Sequence, residues 1–196
     1  MRKKGLIRKA IYLVLFLILG ACFVLISEKY KDNSKQQIIE ISDYYEGLND
    51  KQYEVIGGTK LINVLKSDEK TLIVIGNHDS KWSKYYVEEL DKVIENTNIK
   101  KVYHYDINND KAQLNSNYYE IVNLLKGSLV TTDGTDSNLL APSFYIVKDG
   151  KVLYYNIDTV AMKNTEKPSK YWSEEQKQEF NEEITEAINK YYLNNK

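Results

Sequence analysis

Residues 71–86, TLIVIGNHDSKWSKYY, join a short apolar run to a segment whose apolar residues recur at helical spacing. The run 71–75 shows no polar alternation, the pattern of a strand buried on both faces of a sheet. From Ser80 to Asn96, the residues Trp82, Tyr86, Leu90, Val93 and Ile94 fall along one side of a helix. A strand that feeds straight into a helix predicts a layered α/β fold with TLIVI at the centre of its sheet. It also sets Ser80 and Ser83 at a helix start, where backbone N–H groups lack partners and the dipole is positive. Ser80 or Asp79 is therefore the predicted N-cap, a role worth about 1 kcal/mol.

The alternation of periods continues on both sides. Residues 53–56 read as a strand, and 59–66 as a short helix with Leu61, Ile62 and Leu65 inward. KVYHYDI (101–107) reads as a strand, and 116–126 as a helix with Tyr118, Ile121, Val122 and Leu125 on one face. A polar loop, GSLVTTDGTDSN, leads to the strands SFYIV and KVLYYNI around Asp149-Gly150, a strong hairpin signal. A last helix opens at Ser173, with Gln176 three residues on as in a capping box, and carries Phe180, Ile184, Ala187, Ile188 and Tyr191. The predicted order over 53–196 is β-α-β-α-β-α-β-β-α, an α/β domain with helices around a mixed sheet.

Composition bounds the rest. The chain has 196 residues, enough for one domain of ordinary size and an appendage. Its 42% hydrophobic content, with 17 Tyr, predicts a packed interior. The single cysteine, Cys22, excludes an intramolecular disulfide and a zinc site built on several thiolates.

Residues 1–9 carry Arg2, Lys3, Lys4, Arg8 and Lys9, and the 17 residues AIYLVLFLILGACFVLI that follow have no charge. As a helix this segment reaches ~26 Å, enough to cross the hydrocarbon layer with help from its flanks. A transmembrane anchor over 10–27 is predicted, with basic 1–9 cytoplasmic, a polar connector over 28–52 that ends in a short helix with Ile38, Ile39 and Ile41 before Gly47, and the domain outside the cell membrane. Leu19-Gly20-Ala21-Cys22 also resembles a lipobox, so a lipoprotein signal with lipidation at Cys22 is the alternative. Removing the five basic residues of the first nine from the total of 27 leaves 22 against 28 acidic, a formal −6 for the remainder. Such a surface repels phosphate backbones, and no nucleic-acid partner is expected.

With TLIVI entering a helix at SKWS, the strand VYHYDI and the run APSFYIVKDGKV, the order resembles the thioredoxin family over about 53–194. It is most similar to the membrane-anchored, extracytoplasmic thioredoxin-like proteins of Gram-positive bacteria, some of them accessory to bacteriocin export. The resemblance implies a three-layer fold with a mixed central sheet, and implies that Pro142 takes the place of the family's cis-proline ahead of the hairpin. In that family the helix opens with Cys-x-x-Cys, the helix end stabilising the first thiolate and the second thiol resolving the mixed disulfide. Ser80-Lys81-Trp82-Ser83 stands there instead. A serine hydroxyl is not ionised at neutral pH and forms no disulfide, so thiol–disulfide exchange is not expected.

What the resemblance leaves is a groove. Ser80, Lys81, Trp82, Ser83, Ala141 and Pro142, with Ser143 beside them, are the implied binding residues, pairing with an extended protein or peptide partner as in strand addition. A proline that merely opens an edge strand is the other reading of Pro142. No catalytic residue, cofactor or metal-ligand set is expected. His78-Asp79-Ser80 are consecutive on a turn, which does not favour a relay, and His104 lies on another strand. His78 with Asp79, and Asp133 with Asp136, fall short of the four ligands of a closed site. The competing functions are a non-redox enzyme using Ser80 and His78, a relative of the oxidoreductases whose cysteines have been replaced, and a structural spacer.

Overall fold

The computed structural model describes residues 39–132, 136–158 and 167–194. The predicted basic segment, membrane anchor, Cys22, the first part of the connector and Asp133 lie outside the described residues. Among those described, no helix is long and apolar enough to cross a membrane.

The elements run α1 (Ile41–Tyr44), β1 (Tyr53–Ile56), α2 (Gly58–Lys66), β2 (Thr71–Gly76), α3 (Lys81–Glu95), β3 (Val102–Asp106), α4 (Asn108–Lys111) and α5 (Ser116–Leu124). After a 3-10 turn at Lys126–Ser128 come β4 (Val130–Thr132), β5 (Asp136–Asn138), β6 (Ser143–Lys148), β7 (Lys151–Ile157), α6 (Pro168–Tyr171) and α7 (Glu174–Ala187). The last helix continues through π-helical turns at Ile188–Leu193.

Five strands form one sheet in the order β1-β3-β2-β6-β7. β1, β3 and β2 are parallel, whereas β6 is antiparallel to β2, and β7 to β6. All six residues of β2 are buried. Leu72 and Val74, with Phe144 and Ile146 of β6, join one core cluster beneath α3 and α7. Ile73 and Ile75, with Tyr145 and Val147, join a second beneath α2 and α5. Each face of the sheet is covered by helices, and this is why TLIVI has no polar alternation. The β6–β7 hairpin turns at Asp149 and Gly150, whose φ values of 52° and 69° are the left-handed pair of a two-residue turn. Three helix–sheet–helix layers, a mixed sheet with an antiparallel hairpin at its edge, and a cis Ala141–Pro142 bond ahead of that hairpin make the fold thioredoxin-like.

Two segments differ from the sequence-based expectation. Within GSLVTTDGTDSN, β4 and β5 pair antiparallel, Val130 opposite Asn138, where a loop was expected. Val130, Thr131 and Thr132 are β-branched and suit a pleated backbone, a preference that the polar composition of the stretch obscures. The end of the predicted connector belongs to the core, since Ile41 and Tyr45 are 0% and 1% exposed and Leu48 is also buried. A short helix was expected here and α1 forms it, but Ile41, Tyr45 and Leu48, at i, i+4 and i+7, turn it onto the core rather than leaving it a spacer. Asp50 closes the segment by accepting from the Ser42 N–H and Oγ, each at 2.9 Å.

Candidate functional site

β2 ends at Gly76, and residues 77–80 turn the chain into α3. Ser80 holds an extended backbone (φ −94°, ψ 121°), and its Oγ accepts from the Ser83 N–H at 3.4 Å, making it the N-cap. Its own N–H donates to the Asn77 carbonyl at 2.9 Å, which closes the turn. Ser83 is fully buried, and its Oγ accepts from the Asn77 N–H at 3.1 Å. The two hydroxyls are thus engaged in one local task, holding the entry loop against the first turn of α3.

The register brings the second half of the predicted site to the same end of the sheet. Ser143 pairs with Ile75, so Pro142, one residue earlier, comes level with Gly76. Pro142 is buried and its carbonyl accepts from the Asp158 N–H at 3.2 Å. Ser143 is buried too, its Oγ donating to the Leu140 carbonyl at 2.8 Å. Ala141 is half-buried, and among the described residues its N–H and carbonyl enter no backbone hydrogen bond. Lys81 is exposed, while Trp82 is half-buried against Tyr171 of α6, ring centroids 5.6 Å apart. Of the six residues singled out from sequence, Ser83 and Pro142 are buried, Ser80, Trp82 and Ala141 are half-buried, and Lys81 is exposed.

On the loop ahead of α3 lies a polar cluster that sequence reasoning missed. Asp106, at the end of β3 and 3% exposed in its side chain, accepts from the His78 N–H at 2.9 Å, from His78 Nδ1 at 2.6 Å and from the Asn108 N–H at 2.8 Å. The other ring nitrogen, Nε2, lies 3.3 Å from Asp79 Oδ1, and the imidazole stacks on Tyr44 of α1 with centroids 5.0 Å apart. Asn108 ties the loop further, its amide donating to Asn77 Oδ1 at 2.9 Å and to Asp79 Oδ2 at 3.0 Å. Both nitrogens of His78 therefore face carboxylates. The strand-end aspartate of VYHYD was visible in the sequence, but the pairing of Gly76 with Asp106 that aims it at the 77–80 loop was not.

His104 lies deeper in β3 and is fully buried between Tyr44 and Tyr45, at ring-centroid distances of 5.7 and 5.4 Å. Neither of its nitrogens has a hydrogen-bond partner among the described residues. Burial pushes its pKa down to about 4; nearby Asp106 favours the charged form, but desolvation wins. A neutral, enclosed imidazole of this kind has no route to a substrate in the groove. Among the described residues no three His, Cys, Asp or Glu side chains converge as a metal-ligand set.

No family model and no curated protein matches the chain. Among solved structures it is similar to the long form of thioredoxin f from spinach chloroplast, at 12% identity over 57% of this chain and 79% of that one, with a TM-score of 0.37. It is also similar to mitochondrial thioredoxin 3 of Saccharomyces cerevisiae, at 15% identity over 56% and 88% of the two chains and a TM-score of 0.34. A thioredoxin of Malassezia sympodialis matches at 14% identity over 66% and 90%, TM-score 0.37.

Proposed function

We propose that this chain is a membrane-tethered, extracytoplasmic thioredoxin-like module that binds a protein or peptide partner without thiol–disulfide chemistry. One observation carries the proposal: Ser80 and Ser83 occupy the first turn of α3 at the end of the sheet where Pro142 lies, and both hydroxyls are engaged in capping and loop contacts. Disulfide exchange needs a thiolate to attack and a second thiol to resolve, and the sole cysteine, Cys22, lies in the apolar segment 10–26. With the electron-transferring groups gone, recognition is what remains. The backbone of Ala141, which enters no backbone hydrogen bond among the described residues, offers an extended partner the hydrogen bonds of strand addition, and Trp82 and Lys81 offer side contacts. Five basic residues ahead of an uncharged apolar segment support tethering with the domain outside, as in the Gram-positive proteins that the sequence resembles.

The full-length chain in detergent micelles, supplied with dithiothreitol, is expected to leave the rate of insulin disulfide reduction at the reagent-only level. Acceleration above that level overturns the proposal. A photo-crosslinker at Trp82 in intact cells is expected to capture a discrete protein partner, whose identity names the process served.

A second reading, a non-redox enzyme, is favoured by the His78–Asp106 contact, since a buried carboxylate on Nδ1 is how an imidazole base is commonly oriented. If Trp82→Ala abolishes cellular function while Ser80→Ala and His78→Ala leave it intact, the enzyme reading fails.

A further inference from the structure

Residues 39–50 meet the sheet through side chains. Among the described residues the hydrogen bonds of this segment stay within 40–52: the Asp43, Tyr45 and Leu48 N–H groups donate to the Glu40, Ile41 and Tyr45 carbonyls at 3.1, 2.9 and 3.3 Å, Asp50 accepts from Ser42, and the Asn49 carbonyl accepts from the Gln52 N–H. Ile41, Tyr45 and Leu48 carry the attachment, with Tyr44 stacked on His78. The chain joins the sheet only at Gln52, whose carbonyl accepts from the Val102 N–H at 2.9 Å. Detaching 39–50 therefore breaks no bond of the sheet, and its four-residue α1 is too short to persist alone in water.

Beneath the segment lies a polar contact without hydrogen bonds. Tyr45 Oη and both ring nitrogens of His104 are buried and have no hydrogen-bond partner among the described residues. Such atoms oppose closure, because opening gives them water. A proton on His104 strengthens the opposition, since the imidazolium brings two N–H donors and a charge into the same enclosure.

The groups around His104 do not offset that charge. Tyr44 and Tyr45 cover the ring from 39–50, and Asp43 bears on Tyr44. Burial is the largest influence and keeps the ring neutral; Asp106, farther along β3, favours the charged form, and His78, on the loop after β2, opposes it. Asp106 is already engaged by His78 and Asn108. Glu54 of β1 alternates to the opposite face and pairs with Lys60 and Lys101. On α3, Asp91 faces Tyr53 and Glu89 pairs with Lys92.

We propose that residues 39–50 are an acid-released latch, closed over His104 at neutral pH and lifted from the sheet when that imidazole takes a proton. Release takes Tyr44 off the His78 ring and so uncovers, on that side, the loop that carries Ser80. The latch is independent of what that loop binds.

Hydrogen exchange of the full-length chain in neutral detergent tests the latch, read by mass spectrometry on fragments covering 39–50 and 71–76 and corrected for the intrinsic rate at each pH. At pH 7.5 the 39–50 amides are expected to exchange through an opening that leaves 71–76 protected. With the ring titrating at its ordinary 6.5 when open and at about 4 when closed, protection of 39–50 is expected to fall about 30-fold between pH 7.5 and pH 5. His104→Leu is expected to retain the opening and lose most of this fall. Leu48→Ala, which removes an apolar contact and no titratable group, is expected to speed exchange of 39–50 about tenfold at pH 7.5 and to keep the pH dependence. Exchange of 39–50 only in step with 71–76, or a full 30-fold fall in His104→Leu, overturns the proposal. Should His104→Leu not fold, Leu48→Ala decides: unchanged exchange of 39–50 at pH 7.5 overturns the latch as well.

Discussion

His78 Nδ1 donates to Asp106 Oδ2 at 2.6 Å, joining the loop that leaves β2 to the end of β3. The same carboxylate also accepts two backbone N–H groups, from His78 and Asn108, while its side chain is almost wholly shielded from water. Asp106→Ala therefore strands three donors, two of them on the backbone. Buried donors left without an acceptor cost about 1–3 kcal/mol each, less whatever water recovers, so a loss of about 3 kcal/mol in unfolding free energy is expected. His78→Ala, which removes a partly exposed ring and leaves both backbone bonds intact, is expected to cost about 1 kcal/mol. Urea denaturation of the two variants decides the matter, and equal losses would show that the ring carries the anchoring.

His104 makes stability depend on pH in a defined window. Its ordinary pKa is 6.5, and burial holds it at about 4 in the folded chain. Between those values the unfolded chain takes up a proton that the folded chain refuses, so acidification favours unfolding. The contribution is intact above pH 6.5, erodes as the pH falls, and amounts to a loss of about 3 kcal/mol by pH 4. His104→Leu is expected to flatten this part of the profile relative to wild type, whatever the carboxylates common to both contribute. Parallel wild-type and variant curves from thermal melts at pH 7 and pH 4.5 would mean that the imidazole is already charged in the fold.

Gly76 is set where a side chain has no room. A Cβ there would fall 2.5 Å from Tyr45 Oη and 2.6 Å from His104 Nε2. His104 is fixed within β3, so the displacement passes to Tyr45, and with it to the 39–50 segment packed on the sheet. Gly76→Ala is expected to cost about 1–3 kcal/mol, as overpacking of a filled core does. Gly127→Ala, whose Cβ meets nothing within 4 Å, is the control, expected to stay within about 0.5 kcal/mol. Proteolysis at residues 39–50 should accelerate in the first variant and not in the second.

Which parts of this arrangement were legible in the sequence follows from the range of the forces involved. The burial of TLIVI on two faces shows in its lack of alternation, because helices cover both sides of β2. Ser80 as N-cap and the Asp149-Gly150 turn are contacts within a few residues, and local chemistry dictates them. The meeting of Tyr45, His104 and Gly76, from three distant segments, depends on the register of β2 against β3. Periodicity reveals which face a residue occupies, not which neighbour it meets there. Strands β4 and β5, at three residues each, are too short to display a period of two.

Cysteines placed at Ser80 and Ser83 test whether the scaffold lacks only thiol chemistry. On a Cys22→Ser background, Ser80→Cys puts a thiol at the N-cap of α3, where unpaired N–H groups and the positive dipole end favour the thiolate. Its pKa is expected below the ordinary value of about 8.5, read from the pH dependence of iodoacetamide alkylation. Adding Ser83→Cys supplies a resolving thiol one turn along, at the cost of about 1 kcal/mol for the acceptor that Asn77 N–H loses. The double variant is expected to form an intramolecular disulfide on mild oxidation and to reduce insulin above the reagent-only rate, while the parent does neither. That gain would locate the missing chemistry in two sulfur atoms on an otherwise competent scaffold. If the double variant stays inert though oxidised and folded, more than its serines sets this site apart, and Trp82 packed against Tyr171 is the next residue to replace.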